Sequence, residues 1–190
     1  MICKDNSQLS IHCGGVSALP QINEIIRAAV DAWPLPARLR RLTTPLLEYK
    51  ATDSLDLEFL IARVATSCHT TSQTIPVGVA AWDFSNVYPG PGEYRSALLH
   101  GLYVTPHHQR HGVGCALQQA TYTRALAKGR TAMVVKAERV SESYFQQCGY
   151  HGLRSNELGI ADYPYLYWHP INARDHSLVS GNGYNIREQN

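Results

Sequence analysis

Apolar and polar positions alternate over residues 8–13 (QLSIHC), which predicts a short first strand broken by Gly14-Gly15. Leu19, Ile22, Ile25, Ile26, Ala29 and Val30 then recur every three or four residues, the pattern of a helix with one buried stripe, and Ser17 is placed to cap it. This helix ends before Pro34, because the residue preceding a proline leaves the α region. Beyond Leu35-Pro36, the positions Leu39, Leu42, Leu46 and Leu47 outline a second helix that Pro45 interrupts.

Residues 57–65 (LEFLIARVA) fit a helix or a buried strand by spacing alone. The polar stretch Thr70–Thr74 and the apolar run Ile75–Phe84 that follow make the pair a hairpin. Pro89-Gly90-Pro91-Gly92 is a loop leading into a strand at Arg95–Thr105. Val113, Leu117, Ala120 and Ala127 lie at helical spacing, with Gly129 just past the helix end. Thr131–Lys136 reads as a short buried strand and Ser141–Cys148 as a short helix closed by Gly149. Tyr150–Asn156 and Tyr163–His169 would be the last two strands.

The strand–helix–strand run over 95–137 implies a right-handed parallel crossover. A hairpin before it and two strands after it make the fold class α/β, one domain at 1–171 built on a single mixed sheet flanked by helices. Residues 172–190 are polar, hold Gly181 and Gly183, and are expected to form a flexible tail.

Composition narrows the class. With 190 residues, 44% hydrophobic and 17% charged, the chain can bury a full core and is not a disordered segment. A net charge of +2 with dispersed basic residues gives no case for nucleic acid; the trio Arg38, Arg40 and Arg41 reads as a solvated helix face. The five cysteines (Cys3, Cys13, Cys68, Cys115, Cys148) form no CxxC pair and read as reduced thiols, Cys115 and Cys148 as small apolar helix residues. Neither a signal peptide nor a membrane span is apparent, so a cytoplasmic protein without a membrane partner is expected, as a monomer or homodimer.

The segment Leu98–Gly114 (LLHGLYVTPHHQRHGVG) carries the chemistry: an apolar strand, a proline that stops it, and a glycine-punctuated loop opening a helix. N–H groups of a helix's first turn lack intrahelical partners and carry the positive end of the dipole, so they attract an anion such as a phosphate. No Lys follows either glycine, which excludes a P-loop. Leu117 stands where a dinucleotide fingerprint needs a small residue. What remains, Gln109-Arg110-His111-Gly112-Val113-Gly114 preceded by Tyr103-Val104-Thr105-Pro106, resembles the Q/R-x-x-G-x-G/A loop of the GNAT superfamily of acyl-CoA-dependent N-acetyltransferases. The order of elements matches that fold over about residues 8–169, most specifically over 98–150, through the Phe145–Tyr150 element.

The resemblance implies that the parallel strands 95–105 and 131–137 splay at their C-terminal ends. It implies that acetyl-CoA is the cosubstrate, with its pantetheine against Leu102, Tyr103 and Val104 and its pyrophosphate on Gln109, Arg110, His111, Gly112, Val113 and Gly114. A primary amine of a small molecule or peptide would attack the thioester directly. Leu98 occupies the position where many members place a glutamate base. His100 lies two residues on, on the same face; the segment His100–Val104 is similar to that of arylalkylamine N-acetyltransferases, where a strand histidine assists deprotonation. Imidazole titrates in the range such a step needs. Glu93 and Asp83 are second-choice bases. A non-catalytic acyl-CoA-binding or regulatory domain is the alternative.

Relatives often hold an acid tyrosine four residues before the closing glycine; here that position is Phe145, with Tyr144 beside it. Either the short helix is rotated relative to the family and Tyr144 protonates the leaving thiolate, or the thiolate leaves unassisted, tolerable for a thiol of pKa about 8.5, with Phe145 packing beside the thioester and Tyr144 toward the core or the groove rim. The second is narrowly favoured. His107, His108 and His111 lack a completing carboxylate or Cys, so no metal is expected. Trp33 and the late tyrosines Tyr163, Tyr165 and Tyr167 fall where such proteins build the acceptor pocket; aromatic packing along a strand is the other reading of Tyr165 and Tyr167.

Overall fold

The alternating segment near the start forms β1 (Leu9–Gly14), so Gly14 closes that strand rather than breaking it. The computed structural model describes residues 9–68, 71–84, 92–153, 165–172 and 185–186. The apolar stripe winds into α1 (Leu19–Asp31), whose Leu19, Ile22, Ile25, Ile26, Ala29 and Val30 are all buried. Ser17 does not cap it: the chain enters through a 3-10 turn at Val16–Ala18, which places Ser17 a residue too early. α2 (Ala37–Leu47) runs through Pro45 instead of breaking there. The helix ends two residues later, and none of its residues is fully buried.

The hairpin is β2 (Glu58–Cys68) and β3 (Thr71–Asp83), so Thr71–Thr74 extend a strand rather than form the turn. Thr70 and residues 85–91, with the Pro89–Pro91 loop and Tyr88, lie outside the described residues, as does Cys3. β4 (Ser96–Val104), α3 (Val113–Ala127) and β5 (Ala132–Ala137) make the parallel crossover. α4 (Glu142–Gln147) precedes β6, reduced to His151–Gly152, and β7 (Tyr165–Pro170). Residues 154–156 of the expected strand, and Tyr163, lie outside the described residues. Within the stretch expected to be a flexible tail, Asn185–Ile186 form β8, which pairs in parallel with Ser10 and Ile11 of β1.

The strands form one mixed sheet in the order β6-β7-β5-β4-β3-β2-β1-β8. On one face, α1 packs on Phe59, Ile61, Val79, Ala81 and Tyr103. On the other, α3 and Phe145 of α4 pack on Leu60, Ala80, Trp82, Leu99 and Val135. Gly78 allows the close approach of α3, since a Cβ there would come within 3.0 Å of both Leu117 and Val113. Arg40 is not a solvated charge: it donates to the carbonyls of Trp33 and Leu35 and ties the α1–α2 connection. Cys115 is exposed rather than packed, and Cys13, Cys115 and Cys148 are free thiols. Among the described residues, no helix is long and apolar enough to cross a membrane.

Candidate active site

β4 and β5 share a ladder only from Ser96–Ala132 to Leu99–Val135, although β4 runs on to Val104. Two strands that start paired and then part leave a wedge between them. Thr105 N–H donates to Val77 O on β3. Backbone groups of a strand alternate sides, so Tyr103 faces β3 with Thr105, while Leu102 and Val104 face the wedge. Of the three expected backbone contacts, Tyr103 therefore offers its ring to the wedge, not its amide. The Gln109 side chain donates to Val104 O at 3.1 Å, satisfying one of the freed carbonyls.

The register slips by one residue between Ala81–Gly101 and Trp82–Leu99, which leaves His100 as the extra residue of a β-bulge. Asp83 pairs with Leu98 in the ladder, and His100 Nε2 lies 2.8 Å from Asp83 Oδ2. A carboxylate oxygen accepts from a ring N–H, so Nε2 faces Asp83 and Nδ1 is left for another partner. Asp83, weighed from the sequence as a second-choice base, is thus hydrogen-bonded to the histidine. Glu93 sits on an exposed turn and lines neither cavity of the site. Leu98 is 3% exposed, packed on Val134 and Leu166.

The wedge opens into a groove of about 510 Å³. Its walls bring together nine of the sequence candidates: His100, Leu102, Tyr103, Val104, Gln109, Arg110, Gly114, Tyr144 and Phe145. Trp33 lines it as expected, but Tyr167 does not; its hydroxyl points to Glu142 and Gln146. Lys136, Glu138 and Ser141, at the C-terminal end of β5 and beyond, also line the groove and went unread. The signal was available: a splay exposes the ends of both strands, not only of the first.

At the groove mouth, Gly112 caps α3 with φ +82°, a left-handed conformation that glycine adopts without a Cβ penalty. Arg110 also has positive φ, +60°. The first turn of α3 holds no acidic residue, and His107, His108, Arg110 and His111 precede it in the chain. His111 is hydrogen-bonded to Gln109 O at 2.7 Å, and Val113 turns its side chain onto the sheet at Gly78. His108 is held below the ordinary histidine value, first by partial burial and then by His111 and His107. Among the described residues, no group of three or more side chains could hold a metal ion.

Tyr144 and Phe145 both reach the groove, in an edge contact at 5.2 Å. The Tyr144 hydroxyl donates to Gln118 Oε1 at 3.1 Å and lies 3.1 Å from where a Cβ on Gly114 would sit. Gly114 is therefore needed as much for this tyrosine as for any ligand. Burial, then Cys148, pushes the Tyr144 phenol above its ordinary value.

The family model for the acetyltransferase (GNAT) family matches residues 30–150, and the chain belongs to that family. No curated protein matches it in sequence. Among solved structures it is similar to the PaiA N-acetyltransferase of Thermoplasma acidophilum in complex with coenzyme A, at 13% identity and TM-score 0.65, over 86% of this chain and 99% of that one. It is also similar to a GNAT family acetyltransferase from Brucella melitensis in complex with acetyl-CoA, at 14% identity and TM-score 0.53, over 88% and 90% of the two chains. A third similar structure is the KacTA–DNA complex, at 14% identity and TM-score 0.54, over 92% and 100%. At such identities the likeness is one of fold.

Proposed function

We propose that the protein transfers an acetyl group from acetyl-CoA to a primary amine of a small molecule or peptide. The observation that carries this is the early end of the β4–β5 ladder, which leaves Leu102 and Val104 backbone groups facing a groove that ends at the bare N-terminus of α3. The pantetheine amides would complete the broken ladder as a substitute strand. The pyrophosphate would take the N–H groups of residues 110–114.

The thioester then lies near the His100 bulge, with a wedge-facing β4 N–H available to its developing oxyanion. His100 Nδ1 removes the ammonium proton, and the Asp83 carboxylate stabilises the imidazolium that forms. The amine nitrogen bonds to the carbonyl carbon and gives its second proton to water, the C–S bond breaks, and the products are an amide and CoA thiolate. The Tyr144 proton is directed at Gln118, and burial makes that phenol a weaker acid, so the thiolate leaves without it. The His100–Asp83 pair favours an enzyme over a binding domain that keeps only the fold.

The test is calorimetric titration of acetyl-CoA, followed by product detection with a panel of amines. In Gly112→Asp, a carboxylate would enter the loop against the dipole, and the β-carbon would meet a left-handed φ. Loss of about tenfold or more in CoA affinity is expected. Unchanged affinity in a folded variant would falsify the placement of the pyrophosphate.

A further inference from the structure

We propose that Arg95, Lys128 and Arg130 form a binding site for a phosphate-bearing small molecule at the C-terminal end of α3. Arg95 precedes β4, Lys128 and Arg130 follow α3, and the fold brings the three together. The Lys128 Nζ stands 5.2 Å from the centre of the Phe84 ring, and the guanidinium carbon of Arg130 stands 5.8 Å from it. Between them in the chain Gly129 turns with φ +71°, and the Arg95 guanidinium lies against it, Nη2 3.6 Å from where a Cβ would sit. Trp82, in the core, fixes Phe84 by an edge contact at 4.7 Å. α3 has 15 residues, so about 22 Å of helix separates this cluster from the Gly112 loop.

Nothing among the described residues neutralises these charges. There, none of the three side chains makes a hydrogen bond or an ion pair, and the Arg130 Nε is buried without a partner. A buried N–H normally has an acceptor, and like charges held together repel. The end of the helix does not account for them. The carbonyls of Arg124, Ala125 and Leu126 are already taken by the backbone N–H groups of Lys128, Gly129 and Arg130. The Phe84 ring attracts a cation but has no net charge with which to balance two. Of the acids that flank Phe84 and Arg95 in the chain, Asp83 is hydrogen-bonded to His100, and Glu93 forms no ion pair among the described residues. Residues 85–92, which join them, contain no Asp or Glu.

The donor set selects the ligand. Two guanidinium groups offer paired N–H donors and the ammonium adds a point charge, a combination that matches the oxygens of a phosphate. Three cations call for an anion of more than one charge, and a phosphomonoester carries about two near neutral pH. Such an anion would also give the buried Arg130 Nε the acceptor it lacks.

Inorganic pyrophosphate is the probe, titrated into isotopically labelled protein at constant ionic strength while the amide resonances of Gly129 and Arg130 are followed. Those amides report this cluster separately from the first turn of α3. The shifts should saturate, with affinity about tenfold or more weaker in Arg95→Gln and in Lys128→Gln/Arg130→Gln. Arg38→Gln/Arg41→Gln removes as much charge from the exposed side of α2 and should leave the affinity unchanged. Equal shifts with chloride, an affinity that survives both Arg95→Gln and the double substitution, or an equal loss in the α2 variant each overturn the proposal. Retention on phosphatidylcholine vesicles containing phosphatidate, without binding of free pyrophosphate, overturns it as well and makes the cluster a lipid contact.

Discussion

A methyl group added at Gly101 probes the geometry on which the acceptor side depends. The new Cβ would lie 2.5 Å from Tyr103 Cε2 and 2.7 Å from the Tyr49 hydroxyl. Non-bonded carbons settle about 3.5–4.0 Å apart, so a ring must move by about 1 Å. Tyr103 is packed in the α1-side core, and Tyr49 lies edge-on to Phe59 at 5.0 Å with its backbone clamped by Asn23. Overpacking against such neighbours costs about 1–3 kcal/mol. In a domain of this size each kcal/mol lowers Tm by about 2–4 °C, so Gly101→Ala should lose about 2–12 °C. The open side is the groove, into which the displaced ring would swing, so amine KM should rise while CoA affinity holds. Gly15→Ala is the control: its Cβ meets nothing within 4 Å, and its φ of −111° suits any residue, so stability should stay within about 0.5 kcal/mol. Thermal melts, amine kinetics and CoA calorimetry read the three effects. A Gly101→Ala protein with the melting curve and amine KM of the parent would refute the convergence of the two rings.

Asp83→Asn should lower kcat by about 10²-fold or more with CoA affinity intact, because an amide N–H facing Nε2 forces the His100 proton onto Nδ1; a kcat within a factor of about two would remove Asp83 from that role. Burial raises the phenols of Tyr103, Tyr122 and Tyr150 above the ordinary 10.0, so they ionise first in the unfolded chain. Their contribution is therefore complete below about pH 10 and lost above it: urea midpoints should be flat from about pH 7 to about pH 9, then fall. The Tyr150 hydroxyl accepts from Tyr122 at 2.9 Å, so Tyr150→Phe should flatten that alkaline slope; an unchanged slope would count against it.

The mixed sheet, the crossover and the anion-attracting loop were legible because they rest on local signals: strand alternation, helical spacing, and glycines at the loop. The contact of Asp83 with His100 was not legible because it comes from register, and only a ladder that sets Asp83 opposite Leu98 reveals it. Asn185–Ile186 had no local signal, since two residues suffice to add a strand to the exposed edge of β1. α2 misled in the opposite direction: its leucines at helical spacing formed the helix, yet Leu39, Leu42 and Leu46 stay exposed and only Leu47 joins the core.

The extra residue at His100 sets much of the site by itself. Before it, Ala97 and Leu99 face α3 while Leu98 faces away. Because His100 and Gly101 both turn to the Leu98 side, every later residue changes parity: Tyr103 joins the α1 face, and Leu102 and Val104 join the α3 face. A bulge also bends and twists its strand, and the β4–β5 ladder ends at Leu99, the residue before it. One inserted residue thus opens the groove, brings Tyr103 to the acceptor side and aims the imidazole at Asp83. Backbone register and side-chain chemistry are nevertheless separable. His100→Ala removes the imidazole but not the extra residue, so the groove and CoA affinity should persist. The rate should fall by about 10²-fold, and the acidic limb of the pH profile, where the imidazole must lose its proton before it can act, should vanish. Rates within a factor of about two of the parent on both sides of neutrality would show that the bulge matters for shape alone, with the proton leaving to water.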